Sequence, residues 1–171
     1  MTGPDRRELI ITLLNEADGA ISGGNLAKKL NVSRQIIVGD IALLRASGLP
    51  IVSTPKGYIF FSEPTNYITR AIVCKHTENE IEDELNCFVD EGIIVTSVSV
   101  EHGVYGHLNG DLHISSRRDV KDFIKNLQES KTAPLATLTD GIHCHTIKCK
   151  NEAEFDKIKQ ILHDKNFLYE L

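Results

Sequence analysis

The sequence predicts an α+β chain in two modules: a winged helix-turn-helix over residues 1–62 and, over 66–171, a split β-α-β sandwich of ferredoxin-like type. Three observations lead there. Three short helical patterns follow one another and close on a strand, a turn and a strand. The stretch "FFSEPTNY" then breaks the pattern, with Pro64 disfavouring helix at Glu63, and marks a short linker at about residues 62–66. After it, strand and helix patterns alternate to the end.

In the first module, "DRRELIITLLNEA" places Leu9, Ile10, Leu13 and Leu14 on one face, with Asp5 as the expected N-cap. "SGGNLAKKLNV" carries the stripe Leu26, Ala27 and Leu30 and starts near Ser22 or Gly23. A tight turn at Asn31-Val32 leads into "SRQIIVGDIALLRASG", which opens on Ser33 as N-cap and stops at Gly48. Its buried face is Ile37, Ile41 and Leu44. "IVSTPKGYIFF" reads as two strands around a Pro-Lys-Gly turn, the wing. In the second module the order is strand "YITRAIVCKH", helix "TENEIEDELNCFVDEG", strands "IIVTSVSVEHG" and "GDLHIS", helix "SRRDVKDFIKNLQES", loop "KTAPLATLTDG", strand "IHCHTIKC" and helix "NEAEFDKIKQILHDKN". This order suits a mostly antiparallel four-stranded sheet with helices on one face. The other face stays free for a binding site or a dimer contact.

Composition sets limits on function. With 41% hydrophobic and 25% charged residues the chain is of ordinary globular type. No apolar run approaches the roughly 20 residues of a membrane span, and no signal region opens the chain, so a cytoplasmic protein is expected. Cys74, Cys87, Cys144 and Cys149 form no C-x-x-C pair and read as reduced thiols, with Cys144 directed towards the helices as a core residue. Net charge is −5, but the first 62 residues carry seven basic against five acidic side chains while the remainder is strongly acidic. That asymmetry is expected of modules with different partners.

A helix of this length fits the major groove, where its N-terminal residues meet base edges. Ser33, Arg34, Gln35 and Val38 lie away from the apolar stripe, so the expected partner is double-stranded DNA. Lys56 at the wing tip and Lys28 would reach phosphates. Gly39 inside the recognition helix costs about 1 kcal/mol relative to Ala and has no local explanation.

The segment "LTDGIHCHTIKCK" raises the second question. On a strand, His143 and His145 share a face. Such a pair can be a metal site, a catalytic pair or a polar sheet surface. His76 ends the first strand and Glu84 follows on the acidic helix; three imidazoles and a carboxylate suit a divalent transition metal. His102 and His107 flank the turn "GVYG", His163 reads as exposed on the last helix, and His113 could point into the site. No glycine-rich phosphate loop, nucleophile elbow or H-E-x-x-H helix is present, so an enzyme is not expected.

The stretches "SGGNLAKKLNVSRQIIVGDIALLRASG", "PKGY", "VYG…GDLHISSRRDVKDF" and "PLATLTDGIHCHTI" together resemble the NiaR family of nicotinate-responsive bacterial transcription repressors, whose C-terminal part is the three-histidine, or 3H, domain. The resemblance covers almost the whole chain. It implies a homodimeric repressor of genes for NAD synthesis and nicotinate uptake, with nicotinate as co-repressor. It also implies metal ligation by His76, Glu84, His143 and His145, the metal being zinc, nickel or iron. Many related recognition helices carry Arg where Gly39 stands here. For the ligand's carboxylate the candidates are Arg117, Arg118 or the N–H groups of their helix. A repressor for which the metal itself is the signal is the alternative.

Overall fold

The computed structural model describes residues 1–61 and 66–170, which divide between two compact units, Met1–Glu63 and Pro64–Leu171. The linker expected at 62–66 falls almost wholly on residues 62–65, outside the described residues.

The N-terminal unit contains α1 (Gly3–Glu16), α2 (Gly23–Leu30), α3 (Arg34–Ala46) and the antiparallel pair β1 (Ile51–Thr54) and β2 (Gly57–Phe60). Ser22 and Ser33 cap α2 and α3, each accepting a hydrogen bond from a backbone N–H three residues on. Asn31 takes a left-handed conformation (φ 53°), which stops α2 and turns the chain into α3. At α1 the N-cap is Thr2, not the expected Asp5; Asp5 is the third helical residue and its carboxylate receives the Thr2 N–H in a capping box. Ile10, Leu14, Leu26, Ile37, Ile41 and Leu44 meet in the core. Asp40, also buried, is held by Arg6 (2.5 Å) and Arg7 (3.4 Å), so α1 is tied to α3 by charge as well as packing. The wing folds back through Ile21, which exchanges backbone hydrogen bonds with Tyr58. A Cβ at Gly57 (φ 135°) would stand 2.3 Å from the Ile21 carbonyl oxygen, so glycine is required there.

The C-terminal unit contains β3 (Ile68–Lys75), a 3-10 turn (Glu78–Glu80), α4 (Ile81–Asp90), β4 (Ile94–His102), β5 (Gly106–Ile114), α5 (Arg117–Ser130), a second 3-10 turn (Leu135–Thr139), β6 (Ile142–Cys149) and α6 (Glu152–Asp164). The sheet order is β3-β6-β4-β5, antiparallel throughout. Each helical crossover spans one intervening strand, so both halves are split β-α-β units, as expected. The order nevertheless departs from the ferredoxin arrangement. There the first strand lies inside and the last at an edge; here β3 is an edge and β6 is inside.

One core joins the sheet to its helices: Ile72 and Cys74 of β3, Ile147 and Cys149 of β6, Leu85 and Phe88 of α4, and Ile158 and Leu162 of α6. Where plain alternation was expected along β4, Val95 pairs with Ile147 and Ser97 with Thr146, so Thr96 is an extra residue. Its hydroxyl donates to the Thr146 carbonyl at 2.8 Å. The bulge lets Val95 and Val98 both face the helices although their numbers differ in parity. His143 and His145 share parity with Ile147 and therefore face the helices, while Cys144 points to the uncovered side with Val73 and Thr146. This reverses the expectation for Cys144.

Candidate metal centre and nucleic-acid interface

Four side chains converge beneath α4. Cys74 and His143 are partners across β3 and β6, as are Ile72 and His145, and His76 lies just past the end of β3. Glu84 sits in the first turn of α4, because the helix starts only at Ile81. Ile81, Glu84, Leu85 and Phe88 are spaced as one helical face, so the carboxylate points inward with its apolar neighbours. Its side chain is 1% exposed and touches all three rings: Oε2 lies 2.8 Å from His76 Nε2 and 3.3 Å from His145 Nε2, and Oε1 lies 3.1 Å from His143 Nε2.

The opposite nitrogens set the tautomers. His76 Nδ1 lies 2.8 Å from the Thr77 carbonyl oxygen, His143 Nδ1 2.9 Å from that of Gly141, and His145 Nδ1 3.0 Å from that of Ser97. A carbonyl only accepts, so each Nδ1 carries its proton and each Nε2 is directed at Glu84. Neutral rings would aim three lone pairs at an anion. The cluster therefore needs positive charge at its centre, as protons on Nε2 or as a cation. The electrostatics agree. Burial alone would raise the Glu84 pKa, but the charge on His145 and the hydrogen bonds with His143 and His145, with His76 close by, outweigh it and hold the carboxyl well below its usual range. Burial opposes ionisation of His76 and His145, yet the facing Glu84 raises both. His76 Nε2 is the exception in geometry: close to Glu84 but off the hydrogen-bonding direction, it is buried and makes no hydrogen bond.

Imidazole nitrogens with one carboxylate are the donor set of borderline divalent ions. Donors that share an ion at about 2.0–2.2 Å each lie about 3 Å apart, and the Glu84 oxygens stand 2.8, 3.1 and 3.3 Å from the three Nε2 atoms. The carbonyl partners of Nδ1 are the outer-shell bonds that fix such ligands. His113, His102, His107 and His163 take no part. His113 occupies a left-handed position on β5 (φ 49°), and His163 is exposed on α6.

The cluster forms one end of a cavity of 320 Å³ lined by Val98, Leu112, Phe123, Leu127, Leu135 and Ala136 among others. That is the lower end of the roughly 300–1,000 Å³ of small-molecule sites. No Lys or Arg is among its described lining residues. Arg117 and Arg118 do not border it. Arg117 instead makes two 2.7 Å hydrogen bonds to Asp90, a pairing that leaves its guanidinium on the far side of α4's end. The segment expected as a plain loop contributes Thr132 to Ala136 to the wall.

On the N-terminal unit, Lys28, Arg34, Gln35, Val38 and Lys56 are all exposed. Ser33 is exposed too, but its hydroxyl caps α3. Gln35, Val38, Gly39 and Ala42 form the stripe opposite the buried Ile37, Ile41 and Leu44. A Cβ on Gly39 would meet nothing within 4 Å, so the protein itself does not demand glycine there.

Comparison with known proteins adds independent findings. The chain matches the HTH domain over residues 6–59 and the 3H domain over residues 69–171. It is 39% identical over 171 residues to the transcription repressor NadR of Bacillus subtilis (strain 168), covering 98% of this chain and 95% of that protein. It is 40% identical over 166 residues to a probable transcription repressor NiaR of Thermotoga maritima, covering 97% and 94% of the two chains. Among the described residues no helix is long and apolar enough to cross a membrane.

Proposed function

Because the chain belongs to the family of NadR- and NiaR-type transcription repressors, built from an HTH domain and a 3H domain, we propose that it represses genes of NAD synthesis and nicotinate uptake with nicotinate as co-repressor. It is a DNA-binding regulator rather than an enzyme. The observation that carries the ligand reading is the meeting of His76, Glu84, His143 and His145 at the end of an apolar cavity.

His76, Glu84, His143 and His145 would hold a divalent transition metal. When bound, that ion supplies a Lewis-acidic position and positive charge to a flat anionic ring. The rest is done by the chain. Val98, Leu112, Phe123 and Leu127 give the ring apolar walls and keep water from its faces. The Thr77, Gly141 and Ser97 carbonyls hold the imidazoles in one orientation. With no Lys or Arg in the described lining, the ligand's negative charge is balanced at the His/Glu end. Ser33, Arg34, Gln35 and Val38 would meet base edges, and Lys28 and Lys56 phosphates, in a homodimer reading half-sites about 34 Å apart or a multiple of it.

Ligand raises operator affinity only through its preference for the DNA-competent state, typically about 1–3 kcal/mol, or roughly 5- to 150-fold. The test is fluorescence anisotropy on a labelled operator duplex with metal-loaded protein. Saturating nicotinate should tighten binding within that range. Unchanged affinity overturns the co-repressor reading. If metal removal alone then abolishes binding, the ion itself is the signal, a reading favoured by the absence of a basic side chain from the described cavity wall.

A further inference from the structure

The four cysteines differ in their surroundings. Cys87 donates to the Asp83 carbonyl of its own helix, and Cys144 lies on the uncovered side of the sheet. Cys149 is buried at the far end of β6. Cys74 alone stands at the His/Glu cluster. It precedes His76 by two residues, so both emerge on the helix-covered side, and it is the direct partner of His143 across β3 and β6. It is 0% exposed. Its Sγ, a Glu84 carboxylate oxygen and a His143 ring nitrogen all lie within 4.8 Å of one another. Beside them, the buried His76 Nε2 lies 2.8 Å from Glu84 Oε2 yet makes no hydrogen bond.

From this juxtaposition we infer that Cys74 is a fifth donor of the centre: as an ion binds, the thiol releases its proton to solvent and the resulting thiolate turns the site towards thiophilic ions. The inference rests on the metal reading above and deepens it. Three imidazoles and a carboxylate accept manganese and iron as readily as geometry allows. A sulfur donor shifts selection towards zinc, cobalt and nickel, because a soft thiolate bonds these ions more covalently than it does manganese or magnesium. A core residue chosen only for size would not need sulfur beside a carboxylate and an imidazole. The backbone bridge from Cys74 to Leu168 and the core packing beside Ile72 hold this stretch of β3 in place, so the thiol is kept on the side of the sheet where the cluster lies.

The test uses the full chain, stripped with chelator and loaded with one equivalent of cobalt(II). Visible d–d bands report an ion held by the nitrogen and oxygen donors. A near-ultraviolet thiolate-to-cobalt charge-transfer band reports sulfur. The expected result is both features in the native chain, and loss of the charge-transfer band alone in Cys74→Ser and Cys74→Ala, with Cys144→Ser unchanged. Zinc-over-manganese preference should also fall at least about tenfold in the Cys74 variants. X-ray absorption of the zinc-loaded native chain gives a reading without any variant: a sulfur shell near 2.3 Å beside the lighter donors at about 2.0–2.1 Å. d–d bands without the charge-transfer band overturn the role of Cys74 and leave the metal reading standing. A charge-transfer band that survives in Cys74→Ala overturns it as well. No bands at all overturn the metal reading itself.

Discussion

Metal loading of the proposed centre should stabilise one unit of the protein and leave the other untouched. All four proposed donors, His76, Glu84, His143 and His145, belong to the unit Pro64–Leu171, and none comes from Met1–Glu63. An ion that binds only the folded state stabilises it by RT ln(1 + [L]/Kd), about 2.7 kcal/mol at a free concentration one hundred times Kd. A unit of roughly 110 residues unfolds with an entropy of about 2.1 cal/mol/K per residue, or about 0.23 kcal/mol/K in total. Zinc or nickel at that concentration should thus raise the midpoint of this unit by about 12 °C. Differential scanning calorimetry with and without chelator reads the shift directly. The transition of the N-terminal unit should stay where it is, and His143→Ala should remove most of the response. A midpoint indifferent to metal, or a shift that persists in His143→Ala, would refute the argument that these side chains form a common site.

The same arrangement of side chains sets further outcomes. In the metal-free chain the raised His76 and His145 stabilise fully below their unfolded value near 6.5 and lose that contribution as pH rises through their folded values; the lowered Glu84 contributes above 4.5 and loses it as pH falls. The urea midpoint without metal should therefore peak between 4.5 and 6.5, whereas with metal it should keep rising to neutral pH, since protons then compete with the ion. Ile147→Ala, at a fully buried position of the inner strand, should cost about 3 kcal/mol by chemical denaturation. Gly39→Ala should stabilise the N-terminal unit by about 1 kcal/mol, and a lower midpoint would show that the fold needs this glycine. Gly57→Ala should do the reverse, by about 1–3 kcal/mol, because its Cβ would collide with the Ile21 carbonyl at a left-handed position.

The helix-turn-helix was legible because its signals are local: Ser22 and Ser33 as caps, Asn31 at the turn, and a stripe repeating every three or four residues. Asp5 was misplaced because Thr2, three residues earlier, offers an equally good cap and leaves Asp5 to close the box. In the C-terminal unit the pairing of His143 with His145 follows from strand periodicity, but the side they occupy does not. Ile142, Cys144 and Thr146 look as suited to a core as His143, His145 and Ile147. The usual rule, polar side outward, gives the wrong answer once a buried carboxylate faces the rings. A signal was present on α4, where Glu84 interrupts the run Ile81, Leu85, Phe88 on the face meant for the core. Within "ENEIEDE" it was hidden among acids that are solvated. The cavity wall from Thr132 to Ala136, and the Arg117–Asp90 pair, depend on contacts between distant segments that no local pattern encodes.

The placement of β6 between β3 and β4 also governs how the chain comes off the ribosome. Until residues 142–149 emerge, β4 and β5 can form their hairpin but β3 has no strand to pair with, since its sheet neighbour is β6. A nascent chain at that stage carries two strands with unsatisfied edges, the form most open to aggregation and to chaperone capture. Insertion of β6 closes both edges in one event and delivers His143 and His145 at the same moment. The His/Glu cluster and the sheet of its unit are thus completed by the same eight residues, so the cluster cannot assemble ahead of the sheet that carries it.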